Sequence, residues 1–479
     1  MHRRRNRECF TDWYRDVLVA VGSLLVVALF CIVPPAASGA DAGAAAAQPS
    51  PVASGAPAAS STPAASSTPA ASSTPAAAPA QIHPISANPG AVNLVTGTGL
   101  LGRLIGLKED SGVHFGGLWI GNADYLIRGG TNPRTWSFNS LLILDVSFDS
   151  YRLLGIPGGL LGAEMLQFNG QPANDEAGAV IGYDGLTEPK PLVRTELYQL
   201  WWRQTLFQDR LILRIGKTVP TLDFNNVSMP VPVEDTSLAI PAVTSLLYTP
   251  IFKNPTIIGV MPGYYNSAYG ITGTFNATRN LYFKYAFYDG ALGTGVQTGL
   301  REYPSFNGHH FMIGETGYAL ALGAQKLPGL LAMGGWAQTG KLSGGGTEEE
   351  GAQGFYAFGS QRLWLHHKGV DNSGVSGFFQ FGINDSRTMI ADRYFGFGFT
   401  AFGLIPRRPS DSIGTGLGWS WLNRRYGFRS NEAMLQAYYQ MHLIGSTFLQ
   451  PTLSYIPNPG ASPRTPGALA FTSQITILF

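Results

Sequence analysis

From residue 113 onward, apolar and polar residues alternate in short segments that are separated by turn-like sequences. In LYFKYAFYD (281–289), Leu281, Phe283 and Tyr285 share one face of an extended chain, whereas Lys284 lies on the other. A period of two residues predicts a strand with one face against an apolar medium and one against polar surroundings. The same pattern predicts sixteen strands, at 113–127, 135–154, 159–171, 193–206, 209–217, 267–277, 280–289, 310–324, 327–342, 351–366, 374–386, 393–404, 411–423, 431–443, 447–458 and 467–479.

The connections between these strands alternate between short and long. Even-numbered strands lead into short turns such as GIPG (155–158), and odd-numbered strands lead into longer loops. Because unpaired backbone is not tolerated in lipid, an even number of strands predicts a closed sheet. The sequence therefore predicts an all-β fold, a transmembrane antiparallel β-barrel of about 16 strands with short periplasmic turns and long extracellular loops.

The longest connection, 218–266, follows the fifth strand. It is the third long loop, which in sixteen-stranded membrane barrels folds inward and narrows the channel. We expect this loop to form the constriction, with its charged residues as candidates for the narrow part: Asp223, Glu234, Asp235 and Lys253.

The alternation also assigns residues to the lumen. An arginine that faced lipid at mid-bilayer would cost about 2–4 kcal/mol, so Arg210 and Arg214 are expected to point inward. The segment 193–206 is ambiguous, since Glu196 and Trp202 share one face while Arg203 lies on the other. The candidate pore-lining and substrate-contacting residues are Arg210, Arg214, Glu196, Asp145, Lys284, Gln380, Glu432, Gln436, Tyr438 and Trp202.

These candidates carry both signs of charge, two amides and two aromatic rings. A lumen of one charge sign would favour an ion or phosphate channel, whereas a mixed set suits neutral polyhydroxylated solutes. Aromatic rings can lie against the apolar faces of sugar rings, and charged groups and amides can exchange hydrogen bonds with hydroxyls. The alternatives to a sugar channel are a general, weakly selective porin and an outer-membrane barrel enzyme. The enzyme would need a serine, histidine and acid set, which the sequence does not place on the outer face.

Composition agrees with one large β domain. Charged residues make up 13% of the chain and aromatic residues 12%, and there are 60 glycines. A mean hydropathy of +0.05 is intermediate, as expected when each strand is apolar on one side only. The formal net charge of +2 gives no indication of a nucleic-acid-binding surface.

The N-terminal region predicts export. A basic start, a mostly apolar run and then small residues indicate a signal peptide over 1–40, with a single transmembrane anchor as the alternative. Residues 41–92 form an Ala/Pro/Ser/Thr-rich segment in which AASSTP occurs three times, and such a segment is expected to be a disordered linker. The barrel domain is placed at 93–479. Both cysteines, Cys9 and Cys31, lie in the predicted signal peptide.

Several stretches resemble the carbohydrate-selective porin family (OprB). They are LGRLIGLKEDSGVHFGGLW (101–119), ETGYALAL (315–322), GGWAQTG (334–340), YFGFGFTAFGLIPRRPSDSIGTGLG (394–418) and LQPTLSYIPNPG (449–460). The resemblance implies a porin in the outer membrane of a Gram-negative bacterium that admits glucose-like sugars by passive diffusion. It implies no enzymatic activity and no cofactor.

The resemblance and the barrel pattern together imply partners other than sugars. The surrounding outer-membrane lipid is one of them. The strand FTSQITILF ends in Phe479, and many outer-membrane barrels end in such an aromatic residue, which the barrel assembly machinery reads. Porins of this size are often trimers, so a homotrimer is one alternative for the assembly.

Other motifs do not support a catalytic or metal site. GTGLLG (97–102) is followed by paired strands and not by the βαβ unit of a dinucleotide site, and in GWAQTGKL (335–342) a leucine replaces the Ser/Thr that would hold magnesium. Neighbouring histidines on a strand face opposite ways, so His309–His310 and His366–His367 predict no metal site.

Overall fold

The computed structural model describes most of the chain beyond residue 98. The predicted signal peptide (1–40), the linker (41–92) and the loop candidates Glu234, Asp235 and Lys253 lie outside the described residues. The described residues are 99–108, 110–186, 193–227, 254–261, 266–290, 304–306, 309–367 and 373–479.

Sixteen antiparallel strands form one closed barrel, in which each strand pairs with its neighbours in sequence and β1 pairs with β16. This confirms the predicted fold class and the number of strands. The strands are β1 Val113–Arg128, β2 Trp136–Asp149, β3 Gly159–Asn169, β4 Val193–Leu206, β5 Leu211–Thr218, β6 Ala268–Asn276, β7 Leu281–Asp289, β8 His310–Leu322, β9 Leu327–Gly344, β10 Thr347–Leu365, β11 Gly374–Asn384, β12 Ala391–Phe402, β13 Ser412–Leu422, β14 Asn431–Ile444, β15 Thr447–Ile456 and β16 Ala468–Leu478.

The helices of the described residues are short, and none of them is long and apolar enough to cross a membrane. One of them changes a predicted boundary. The carboxylate of Asp149 accepts hydrogen bonds from the backbone N–H groups of Tyr151 and Arg152, an N-cap that ends β2 and starts a helix inside the predicted strand 135–154. The α-helices are α1 Leu100–Leu104, α2 Ser150–Leu154, α3 Ala173–Glu176 and α4 Pro220–Asp223.

The barrel closes where the first and last strands meet. Leu118 lies opposite Leu478 in the ladder, and the backbone of Phe479 donates to Gly117 at 2.8 Å and accepts from it at 2.6 Å. A Cβ atom at residue 117 would come within 2.8 Å of the Phe479 ring, so glycine allows the ring to lie against the wall. The barrel is therefore closed by the β1–β16 ladder and by the backbone of Phe479.

The two faces of the wall differ as the alternation predicts. Outward-facing apolar side chains are exposed, as with Phe283 (48%) and Leu453 (48%), while their sequence neighbours Lys284 and Thr452 are buried on the inner side. Inward side chains are buried because parts of two long connections lie inside the barrel. These parts are 173–186, between β3 and β4, and the two described parts of the β5–β6 connection, 219–227 and 254–261.

A β-bulge resolves the ambiguous segment of β4. Glu164 on β3 pairs with Gln199, but the next residue, Met165, pairs with Leu197, so Tyr198 is an extra residue in the ladder. An extra residue reverses the alternation from that point. Glu196 before the bulge and Gln199 after it are consequently both buried on the inner side.

Candidate functional site

A cavity opens in the inner wall near the short turns of β2–β7. The predicted residues Asp145, Arg214, Lys284 and Asp223 all line it. They come from three strands and from the start of the β5–β6 connection, so the fold brings together positions far apart in sequence. The remaining polar and aromatic lining residues are Ser147, Glu164, Trp201, Arg203, Thr272 and Thr274.

The inner edge of this cavity is formed by Asp223 at the end of α4. Pro220 begins this helix at a position where a missing N–H costs no hydrogen bond. The Asp223 carboxylate forms an ion pair with the Arg214 guanidinium, and the Lys284 ammonium donates to the Asp223 backbone carbonyl. The Lys284 ammonium also lies 5.4 Å from the centre of the Phe224 ring. Two cations of the wall thus hold the first turn of the connection inside the barrel.

A buried carboxylate holds the next turn. Glu315 on β8 accepts hydrogen bonds from the backbone N–H of Asn225 at 2.7 Å and from the hydroxyls of Tyr282 (2.7 Å) and Tyr356 (2.8 Å). The predicted lumen residue Gln380 donates to the carbonyl of Asn225 at 3.2 Å. Gln380 therefore supports the inward connection, and the segment 219–227 is tied to β5, β7, β8 and β11.

The second described part of the connection is held by amides. Asn254 donates to the carbonyl of Phe381 at 3.0 Å, and Asn384 donates to the carbonyl of Thr256 at 2.8 Å. Gly382 permits this contact, since a Cβ atom there would come within 2.2 Å of the Asn254 side chain. The connection is thus tied to the wall at both of its described ends.

Two acidic residues line the cavity beside the cations. Asp145 and Glu164 are cross-strand partners on β2 and β3, and both are buried. Gln199 donates to the Glu164 carboxylate at 2.7 Å, and His114 lies 3.3 Å from Asp145. Acids and bases therefore sit on adjacent strands of one cavity, an arrangement that offers both donors and acceptors to a hydroxyl-rich solute.

The aromatic residue of this cavity is Trp201. Its ring lies against Gly162, where a Cβ atom would come within 2.4 Å, and the Arg214 guanidinium lies 5.6 Å from its centre. The expectation for Trp202 is corrected: Trp202 pairs with Leu161 and Ile215, which are 37% and 57% exposed on the outer face. The bulge at Tyr198 causes this reversal. Because the two tryptophans are adjacent, the sequence alone does not show which of them faces the lumen.

The expectation for Arg210 is also corrected. Arg210 is exposed in the turn between β4 and β5, because β5 begins at Leu211. Its carbonyl accepts a hydrogen bond from the N–H of Asn276 at 2.8 Å, which joins two neighbouring short turns. The alternation of β5 starts at Leu211, so it gives Arg210 no position on the lumen face.

Glu432 and Gln436, both predicted for the lumen, hold the other inner segment. The Glu432 carboxylate accepts hydrogen bonds from the N–H groups of Val180 (2.8 Å), Ile181 (2.9 Å) and Gly460 (2.6 Å). Gln436 donates to the carbonyl of Tyr183 at 3.3 Å. Glu432 is fully buried by these contacts, so its oxygens serve the backbone of the inner segment.

The other two predicted residues also lie on the inner side, away from the cavity. Tyr438 is 3% exposed, and its hydroxyl lies 3.4 Å from the hydroxyl of Thr400. Glu196 is buried beside Arg194, whose Nε atom lies 3.8 Å from its carboxylate. The described residues hold no group of three or more His, Cys, Asp or Glu side chains that could bind a metal.

A sixteen-stranded antiparallel barrel with an inward-folded connection and a charged inner wall defines the porin class of membrane channels. A family model described as "Carbohydrate-selective porin, OprB family" matches residues 140–479. The chain therefore belongs to the OprB family of carbohydrate-selective porins.

Solved structures agree on the fold. The high-pH structure of Pseudomonas putida OprB has a TM-score of 0.66 and 18% identity, with 80% of this chain and 96% of that chain covered. The low-pH structure of the same protein has a TM-score of 0.51 and 15% identity, with 80% and 97% covered. No protein in the curated collection matches the sequence.

Proposed function

We propose that this chain forms an outer-membrane channel through which glucose-like sugars diffuse passively into the periplasm. Family membership supports the class of solute. The observation that carries the proposal for this chain is the cavity beside the inner connection, where Arg214, Asp223, Glu164 and Trp201 meet. These groups supply hydrogen-bond donors, acceptors and an apolar ring face at one place in the wall.

The mixed charge of the cavity suits neutral solutes. An ion of either sign would meet a repelling group there, whereas a sugar hydroxyl can donate to Glu164 and accept from Arg203. Binding by a few such contacts is weak enough for the solute to leave again, as flux requires. The activity proposed is transport alone, without a chemical step.

Proteoliposome swelling tests the proposal. We expect glucose and xylose to enter vesicles that contain the purified channel faster than neutral, non-sugar solutes of matched size. Arg214→Gln is expected to reduce this preference several-fold, because it removes a cavity donor and frees Asp223. Arg210→Gln is the matched control, since Arg210 is exposed in the adjacent turn. Equal rates for sugars and size-matched solutes would instead identify a general, weakly selective porin.

The proposed setting is the outer membrane of a Gram-negative bacterium, with the short turns in the periplasm and the exposed apolar band in contact with lipid. Residues 1–40 would direct export, and 41–92 would tether or space the barrel, which occupies 93–479. We propose that the seam residue Phe479 is read by the barrel assembly machinery. A homotrimer is the proposed alternative to a single barrel, and cross-linking of the detergent-extracted protein distinguishes them.

A further inference from the structure

One rim of the barrel carries four exposed arginines beside the lipid-facing band. Three of them belong to the connections that precede β12 (385–390) and follow β13 (423–430), and Arg393 lies on β12 itself. We define this basic rim patch by its four residues, Arg387, Arg393, Arg424 and Arg425.

Hydrogen bonds between the two connections bring the patch together. The Asn423 side chain donates to the carbonyl of Arg387 at 2.8 Å and accepts from the N–H of Arg425 at 3.1 Å. The Tyr426 hydroxyl donates to the carbonyl of Thr388 at 2.6 Å. The arginines of both connections are therefore held together at the neighbouring ends of β12 and β13.

Arg393 faces outward with Phe395 in the alternation of β12, and a bulge lies directly before it. Ala391 pairs with Leu422 and Arg393 pairs with Trp421, so Asp392 is an extra residue in the ladder. The Arg393 side chain is 53% exposed, and its guanidinium lies 5.4 Å from the centre of the Trp421 ring. An arginine on the outer face is expensive at mid-bilayer and costs little at the interface, so Arg393 marks the height of the lipid headgroups.

The strip of outer face below Arg393 is aromatic. Trp421 stacks on Trp419 with 5.2 Å between ring centres and an angle of 5°, and Phe395 and Phe397 continue the strip on β12. Trp419 is 42% exposed. Exposed tryptophans in a barrel wall are typical of the boundary between hydrocarbon and headgroups.

Two acidic residues form ion pairs with arginines of the patch. Glu349 lies 3.7 Å from the Arg387 Nε atom, but its oxygens accept hydrogen bonds from Ser386 and Thr388 and from the Arg387 N–H. Asp392 lies 3.6 Å from the Arg393 Nε atom. Asp385, in the same connection, accepts from the N–H of Gln353 at 2.9 Å. Among the described residues, no carboxylate forms an ion pair with Arg424 or Arg425, so these two arginines supply the positive charge of the patch that no ion pair offsets.

We propose that the basic rim patch binds the phosphate groups of lipid headgroups in the leaflet that surrounds the long-loop rim, with the acyl chains against the Trp419–Trp421 strip. Guanidinium groups match phosphate oxygens in geometry as well as in charge. The site rests on the proposed membrane setting, but it lies on the outer surface and takes no part in sugar passage.

Native mass spectrometry of the detergent-solubilised channel tests this site with lipid A as the probe. The variant is Arg393→Gln/Arg424→Gln/Arg425→Gln, and the control is Arg407→Gln, at an exposed position in the turn at the opposite end of the same hairpin. We expect the wild type and the control to retain bisphosphorylated lipid A, and the triple variant to bind it at least about tenfold more weakly.

Two further binding measurements complete the test. Dephosphorylated lipid A is expected to bind the wild type as weakly as the triple variant binds the phosphorylated form, and millimolar inorganic phosphate is expected not to displace the lipid. Equal retention by the triple variant and the wild type would overturn the proposal, and so would displacement by free phosphate. Glucose entry into liposomes is expected to stay unchanged in the triple variant, so a failure of sugar transport is distinguishable from a failure of lipid binding.

Discussion

The carboxylate of Glu432 accepts a hydrogen bond from the backbone N–H of Ile181 at 2.9 Å, joining β14 to a segment 251 residues earlier in the chain. The same carboxylate also holds Val180 and Gly460. A side chain on the lumen face of a porin is thus used to position an inner segment.

Replacing Glu432 is expected to loosen this inner segment. Each hydrogen bond to a charged group contributes about 1.5–3 kcal/mol, and Glu432→Ala removes several of them at once. We expect a lower unfolding temperature and a higher, noisier single-channel conductance. Glu350→Ala is the control, since Glu350 is exposed near the tip of the β9–β10 hairpin. Conductance and stability equal to those of the control would contradict the anchoring role.

The adjacent tryptophans of β4 lie on opposite faces of the wall, so their alanine variants can be compared directly. Trp201 lines the cavity and Trp202 lies on the outer face. We expect Trp201→Ala to weaken block of the channel by glucose several-fold, because an apolar ring face is lost. Trp202→Ala is expected to leave block unchanged and to lower thermal stability in detergent. The reverse result, measured by current noise in planar bilayers, would show that the two faces have been assigned wrongly.

The carboxyl of Asp411, at the end of the turn between β12 and β13, is expected to make the stability of the protein depend on pH in acid. Burial tends to raise the pKa of Asp411, but hydrogen bonds from Arg408 and Tyr439 and from the N–H of His442 outweigh it, and the pKa of this carboxyl is lowered. A lowered pKa in the folded state stabilises the protein above the pKa of the unfolded chain, about 3.9, and this stabilisation is lost as pH falls through the folded pKa.

The expected result is therefore a loss of stability below about pH 4 that is smaller in Asp411→Asn. Urea unfolding in detergent between pH 7 and pH 2.5 measures it. Asp411→Asn should be less stable than the wild type at pH 7, and the two unfolding curves should approach each other in acid. If the stabilities of the two proteins fell in parallel as the pH is lowered, Asp411 would not be the source of the acid-dependent loss of stability.

Loss of the contacts between Phe479 and Gly117 at the β1–β16 seam is expected to impair assembly of the barrel. Phe479→Ala keeps the two backbone hydrogen bonds with Gly117 and removes only the ring, whereas deletion of Phe479 removes both. We expect folded, heat-modifiable protein in the outer membrane to fall in the order wild type, Phe479→Ala, deletion. Barrels that do fold should show normal block by glucose. Normal assembly together with altered sugar block would contradict this account of the seam.

The alternation of apolar and polar residues was enough to predict the sixteen strands, because a wall between lipid and lumen imposes that period on every strand. The errors arose where the period is broken. The bulge at Tyr198 moved Trp202 outward, and the turn before Leu211 took Arg210 out of the strand. A bulge is set by backbone pairing with the neighbouring strand, which leaves no mark in the sequence of the strand alone.

The contacts of the inner segments were also hidden from the sequence. The side chains of Glu432 and Gln380 bond to backbone groups of connections far away in the chain. Such pairs follow from the closure of the barrel. The cavity residues Glu164 and Trp201 became recognisable only once the strands had been placed in register.

Block of single channels by glucose tests the central claim most directly. In planar bilayers, increasing glucose is expected to lower the conductance of the wild type in a saturable manner, and this effect should weaken several-fold in Arg214→Gln and persist in Arg210→Gln. A conductance that falls only as the viscosity of the solution predicts, with no saturation and no difference between these variants, would contradict a sugar-preferring channel.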